Sequence, residues 1–177
     1  MTPTVLNLRK TWTKGPHLIS TDPILIPTTT LNNWFASEEV YWAKPMPEEA
    51  MQQTIQNSLC FGLYRTDSNA ELNFIGFARC VTDTTTFIYL TDVFVHPSHQ
   101  GLGLGSWLVA CVQEVIESMP YLRRSLLFTG DWRRSVPFYK RVMGMHVMEG
   151  APPSDANGGE GVGLAVMQRR FAGAPGY

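Results

Sequence analysis

HPSHQGLGLGSWL, residues 96–108, places glycine at 101, 103 and 105, directly ahead of an apolar, helix-like run. Three glycines in five residues cost backbone entropy, so the chain there needs a tight turn or a close approach to another group. A helix N-terminus carries unpaired N–H groups and a partial positive charge. A glycine-rich loop feeding it lets several of those donors converge on one anion. Two familiar phosphate patterns are excluded. A GxGxxG fingerprint needs glycine at 106, where Ser106 stands, and a P-loop needs a Gly-Lys-Ser/Thr sequence that is absent. The glycines alone leave two readings open, a phosphate cradle or a tight strand-to-helix turn.

Upstream of the stretch, "CFGLYR" (60–65), "FIGFARCV" (74–81) and "FIYLTDVFV" (87–95) are β-rich runs separated by short polar links. This spacing predicts an antiparallel meander. Further upstream, "HLISTDPILI" (17–26) reads as a strand with a turn at Asp22-Pro23. "TLNNWFASEEVYWA" (30–43) is helical in its first half, with Thr30 or Asn32 as cap, and "MPEEAMQQTIQNSL" (46–59) is a helix with Pro47 in its first turn. Downstream, Leu104, Leu108, Cys111, Val112, Val115 and Met119 make the apolar stripe of a helix over 104–118. A buried strand at 125–129, a short helix at 135–144 ended by Gly144, and strands at 145–149 and 162–169 complete the chain, with a loop at 151–161. The order βααβββαβαββ describes an α/β (α+β) single domain with a mixed, mostly antiparallel sheet flanked by helices. Its expected limits are 17–170, between an N-terminal arm (1–16) and a C-terminal tail (171–177).

Composition fits this picture. The 177 residues can bury a core without staples, and 44% apolar with 16% charged residues marks an ordinary globular chain. A net charge of −1 gives no reason to expect nucleic acid or an anionic membrane as partner. No apolar run approaches the ~18 residues of a membrane span, and no signal peptide is visible. Cys60, Cys80 and Cys111 are too widely spaced for a disulfide framework or a zinc site, so buried thiols in a reducing, cytoplasmic setting are expected. His96 and His99 flank Pro97 in a loop with no third ligand nearby, so no metal is expected. The Arg123-Arg124 and Arg133-Arg134 pairs read as solvated surface. Ser106 lacks a nucleophile-elbow context and reads as a phosphate contact or helix cap.

The pattern Gln100-x-x-Gly103-x-Gly105 lies between a β-strand and an amphipathic helix, and "PFYKRVMGM" follows about 30 residues later. Together these resemble the GNAT (GCN5-related N-acetyltransferase) superfamily over roughly residues 17 to 170. "SEEVYWA" and "SLCFGLY" are similar to phrases in small proteins of that group. The resemblance implies an acetyl-CoA-dependent N-acetyltransferase acting on a primary amine of a small molecule, or of a peptide or protein, as monomer or homodimer. It implies that the amides of Gln100, Gly101, Leu102, Gly103, Leu104, Gly105 and Ser106 hold the pyrophosphate. Val93, Phe94 and Val95 would pair with the pantetheine arm, and an amide near Val93 would face the thioester oxygen. Tyr139 matches the tyrosine that protonates the departing thiolate, or else packs against the cofactor.

An alkyl amine is protonated at neutral pH, so a base or a water relay is required. Asp92 is the best-placed carboxylate, as base, as an ammonium contact or as a turn cap. Thr91 stands where some members of the group carry an acidic residue. Trp34, Tyr41, Trp42 and Thr129 are candidate acceptor contacts, the aromatics alternatively packing in the core. Glu38, Glu39 and Asp131 are weaker candidates. A non-catalytic acyl-CoA-binding module of the same fold remains the competing reading, and a nucleotide-binding fold of another kind a third.

Overall fold

A computed structural model describes residues 8–149 and 163–172. Its centre is an eight-stranded sheet in the order β1-β2-β3-β4-β5-β6-β8-β7. The strands are β1 (Thr11–Lys14), β2 (His17–Ser20), β3 (Leu59–Thr66), β4 (Leu72–Thr82), β5 (Phe87–Val95), β6 (Arg124–Thr129), β7 (His146–Glu149) and β8 (Ala165–Arg170). The helices are α1 (Thr28–Phe35), α2 (Glu48–Gln56), α3 (Leu104–Glu117) and α4 (Ser135–Met143). β3, β4 and β5 form the expected antiparallel meander. The pairing of β5 with β6 is parallel, every other pairing being antiparallel.

The architecture holds one strand more than the sequence reading placed. Four residues of the expected loose arm are β1, which folds back on β2 through Gly15 at φ +56. Trp12 anchors it, lying 6.0 Å from the Phe61 ring and donating its indole N–H to Glu114 of α3 at 2.9 Å. β2 ends at Ser20, because Asp22 accepts from the Ile24 amide and turns the chain at Pro23. Neither Thr30 nor Asn32 caps α1, which starts at Thr28 behind Pro27. Asn32 instead bonds the Met46 backbone, donating to its carbonyl at 2.7 Å and accepting from its amide at 2.9 Å. That pair of bonds pins the segment joining α1 to α2. The loop expected at 151–161 lies outside the described residues.

Two cores sandwich the sheet. On one face α3 and α4 cover Ile88, Leu90, Leu127 and Met167, and the whole predicted α3 stripe is buried. On the other, α1 and α2 cover Phe77 and Phe94 with Leu31, Phe35, Met51 and Ile55. The three cysteines are free and buried. Among the described residues, no helix is long and apolar enough to cross a membrane.

Candidate active site

The site originates in a defect of the sheet. β5 pairs with β6 only from Phe87↔Arg124 to Tyr89↔Leu126, after which the two strands separate. The β4–β5 ladder shifts register between Phe77 and Arg79, so Asp92 and Val93 together face Ala78. This is a β-bulge, and Asp92 takes the left-handed conformation it requires, at φ +53. The bulge reverses the alternation of the strand. Ile88 and Leu90 before it and Val93 and Val95 after it all pack toward α3, while Phe94 packs toward α1. The edge of β5 past Tyr89 is thereby turned into the gap beside β6.

Asp92 is held from the neighbouring strand. Arg79 Nε donates to its carboxylate at 2.7 Å and Arg79 Nη1 donates to Ser58 Oγ at 3.2 Å. Both charged side chains are largely buried, at 19% and 8% exposure. The carboxylate is therefore committed to a guanidinium. Asp92, expected as base, ammonium contact or turn cap, is thus paired with Arg79 at the bulge and lines the cleft.

The glycine loop sits at the end of β5. His96 donates its amide to the Ile75 carbonyl at 2.9 Å, and Gln100 Nε2 donates to the Val95 carbonyl at 2.8 Å. Gly101 and Gly103 have φ of +79 and +74, a region only glycine enters without strain. The Gln100 amide is already used by the Pro97 carbonyl. The first helical bond of α3 runs from the Trp107 amide to the Gly103 carbonyl, which leaves the first-turn amides of Leu104, Gly105 and Ser106 without intrahelical acceptors. Gly105 has ordinary helical geometry, and a Cβ there would meet only Val95 Cγ2, at 3.9 Å.

α4 supplies the remaining wall. Tyr139 is nearly buried, and burial pushes its phenol well above the ordinary range, with Cys80 and then Tyr41 adding to the effect. Its proton is retained throughout the physiological range. Gly144, at φ +63, ends the helix as expected.

These parts surround one cleft of about 900 Å³. Val93, Phe94, Val95 and Asp92 of β5 line it with Gln100, Gly101, Gly103, Leu104, Gly105 and Ser106 of the loop, and Tyr139, Tyr41, Trp42 and Thr129 complete the expected set. Two expected residues are not among the lining. Leu102 points to solvent, and Trp34 is stacked in the second core, 4.5 Å from the Phe74 ring at 7°. Trp34 is a packing residue because α1 turns that face toward β4. Of the weaker candidates, Glu39 and Asp131 reach the cleft. Asp131 is engaged locally, its carboxylate accepting from the Arg134 amide at 2.8 Å.

Sequence reasoning missed Tyr89, Phe128, Leu164, Arg134 and Arg141, all of which line the cleft. Strand alternation held the signal for the first two, since Tyr89 and Phe128 occupy the positions between buried Leu90 and Leu127 and their own neighbours. Arg134, the cap position ahead of α4, and Arg141 within it are seven apart, two turns of helix, and both line the cleft.

The model of the acetyltransferase (GNAT) family matches residues 28–145. The chain belongs to this family. A Gibberella zeae protein assigned as an acetyltransferase is 33% identical over 179 residues, covering 93% of this chain and 97% of that one. A GNAT-family crystal structure from Xanthomonas campestris is similar at a TM-score of 0.56 and 31% identity, covering 71% and 81% of the two chains. Spermidine N-acetyltransferase from Vibrio cholerae, solved with CoA and spermine, shares the fold at a TM-score of 0.66 and 14% identity, over 89% and 96%.

Proposed function

We propose that this GNAT acetyltransferase transfers an acetyl group from acetyl-CoA directly to a primary amine of a small molecule. The observation that carries the reading is the convergence, in one cleft, of the left-handed glycine loop, the open edge of β5 and the protonated Tyr139. The residues present fit the cofactor. The first-turn amides of α3 and the glycine backbone suit a pyrophosphate, and Arg134 and Arg141 add positive charge along the same cleft. The edge of β5 that no longer pairs with β6 beyond Tyr89 suits an extended amide-bearing arm.

Acetyl-CoA supplies an activated acyl thioester. The chain holds it so that the amine and the carbonyl meet in a fixed geometry, a large share of the acceleration. The Val93 amide would serve as the hydrogen-bond donor to the carbonyl oxygen. Tyr139 holds a proton on its phenol and delivers it to the departing sulfur. With Asp92 bound to Arg79, the amine proton leaves through water in the open cleft. Tyr41, Trp42 and Thr129 contact the acceptor.

The commitment of Asp92 also favours a second reading, an acyl-CoA-binding module without turnover. Thermal unfolding with acetyl-CoA, CoA, NAD and ATP in parallel, followed by an amine turnover assay, tests both. Ligand at ~100 times its Kd stabilises by about 2.7 kcal/mol, or about 5–10 °C at this length. A shift with the two CoA species and turnover of an amine is the expected result. A shift without turnover of any amine selects the binding module, and no shift with either CoA species removes both readings.

A further inference from the structure

We infer that Trp12 and Glu114 are positioning residues for the cofactor: the β1–β2 hairpin is a strap that sets where the first-turn amides of α3 meet acetyl-CoA. The inference rests on the reading above in which those amides hold the pyrophosphate. It concerns two residues that do not themselves line the cleft.

The strap is fixed to the sheet. β1 pairs with β2 from Thr11↔Ser20 to Lys14↔His17, and β2 pairs in turn with β3. The Thr66 amide donates to the Pro16 carbonyl at 2.8 Å, which ties the hairpin turn to the end of β3. Lys10 donates its amide to Thr21 Oγ1 at 2.7 Å, which closes the other end.

From this base the hairpin reaches α3 at two heights. Trp12 donates its indole N–H to one oxygen of Glu114 at 2.9 Å, and Lys10 Nζ donates to the other at 3.3 Å. Nearer the helix start, Lys14 Nζ lies 5.9 Å from the centre of the Trp107 ring. Lys10 to Lys14 spans about 13 Å of strand and Trp107 to Glu114 about 10 Å of helix, so strand and helix run side by side in opposite directions. The upper contact is one residue past Ser106, the last of the three amides without an intrahelical acceptor.

The apolar stripe of α3 buries one side of the helix, but apolar burial has no direction of its own. Hydrogen bonds do, and the paired contacts at Glu114 oppose sliding along the sheet and rotation about the helix axis. A helix moves as a rod, so a displacement at Glu114 is carried to the first turn. Donors there bind one anion together only while they converge on it.

The test measures the acetyl-CoA Kd by calorimetry at a temperature where circular dichroism shows every variant folded. Trp12→Phe keeps a ring against Phe61, 6.0 Å away, and removes the N–H. Glu114→Ala removes the acceptor, whereas Glu114→Gln keeps an oxygen for the indole. The expected Kd rises roughly three- to tenfold in Trp12→Phe and Glu114→Ala, and Glu114→Gln restores most of the loss. kcat at saturating acetyl-CoA and the KM of the amine stay unchanged. Glu117→Ala, which breaks a 3.0 Å pair with Arg169 on the same helix, leaves Kd unchanged. Because coupling is reciprocal, acetyl-CoA slows amide hydrogen exchange in β1 of the parent protein. An unmoved Kd in both Trp12→Phe and Glu114→Ala, an equal rise in Glu117→Ala, or β1 exchange indifferent to acetyl-CoA overturns the inference and leaves the cofactor reading standing. Failure of the parent protein to bind acetyl-CoA overturns that reading, and the inference with it.

Discussion

Arg79 and Asp92 form a largely buried ion pair across the β4–β5 ladder, 2.7 Å from Nε to carboxylate, and that pair holds Asp92 at φ +53. The left-handed conformation costs a non-glycine residue roughly 1–2 kcal/mol. The guanidinium makes the conformation worth adopting, and the bulge that follows opens the cleft. Breaking one partner of a buried pair costs about 3–5 kcal/mol. Arg79→Met is therefore expected to destabilise the fold by that order in urea unfolding. Asp92→Gly and Asp92→Ala both lose the pair, but glycine adopts the backbone freely, so the alanine variant unfolds about 1 kcal/mol more easily. Equal stability of the two would mean that the bulge relaxes when the pair is gone.

Tyr139 keeps its phenol proton because burial opposes the phenolate. Tyr139→Phe removes that proton and little volume. A decrease in kcat of roughly 10²–10⁴ is expected, with the acetyl-CoA thermal shift preserved. A kcat within twofold of the parent would place the proton donor elsewhere.

The loop glycines separate stability from binding. Alanine at Gly101 or Gly103 is forced to φ +79 or +74, which should cost about 1 kcal/mol each and distort the amides. Gly105 has no such constraint, and a Cβ there makes only an ordinary contact with Val95. Gly105→Ala should hold or raise the melting temperature while weakening acetyl-CoA binding in calorimetry. Unchanged affinity would show that the approach to Gly105 is not close.

Burial keeps the thiols protonated. The Cys60 thiol is pushed up to about 12, by burial first and by Asp92 against the opposing effect of Arg79. Cys111 is pushed up to about 11, again by burial first, with Glu114 adding. In the unfolded chain these groups lose protons near pH 8.5, so above that pH the unfolded state binds fewer protons than the folded one. Stability is full below about pH 8.5 and declines toward pH 11–12. Urea midpoints at pH 7.5, 9 and 10.5 should fall in that order. A disulfide reagent at pH 8 should titrate the thiols only after denaturation, and rapid native reaction would contradict their burial.

What the sequence by itself determined follows from local physics. A β-rich run between short polar links placed β5 at Phe87–Val95, and periodicity of 3.6 placed the α3 stripe whose every member is buried. The glycine spacing located the turn into α3, because φ above zero is a property of single residues. The tertiary structure alone decided which side chains meet. Arg79 and Asp92 are 13 residues apart, and no local rule pairs them. Trp34 and Trp42 flank the same loop, yet one is stacked under Phe74 and the other opens on the cleft, because α1 ends between them and only the first lies on its buried side. β1 was invisible for the same reason, since four residues of edge strand become a strand only when Trp12 finds Phe61 and Glu114. Local propensity fixes elements, whereas the partners of polar and aromatic side chains depend on packing between segments distant in the chain.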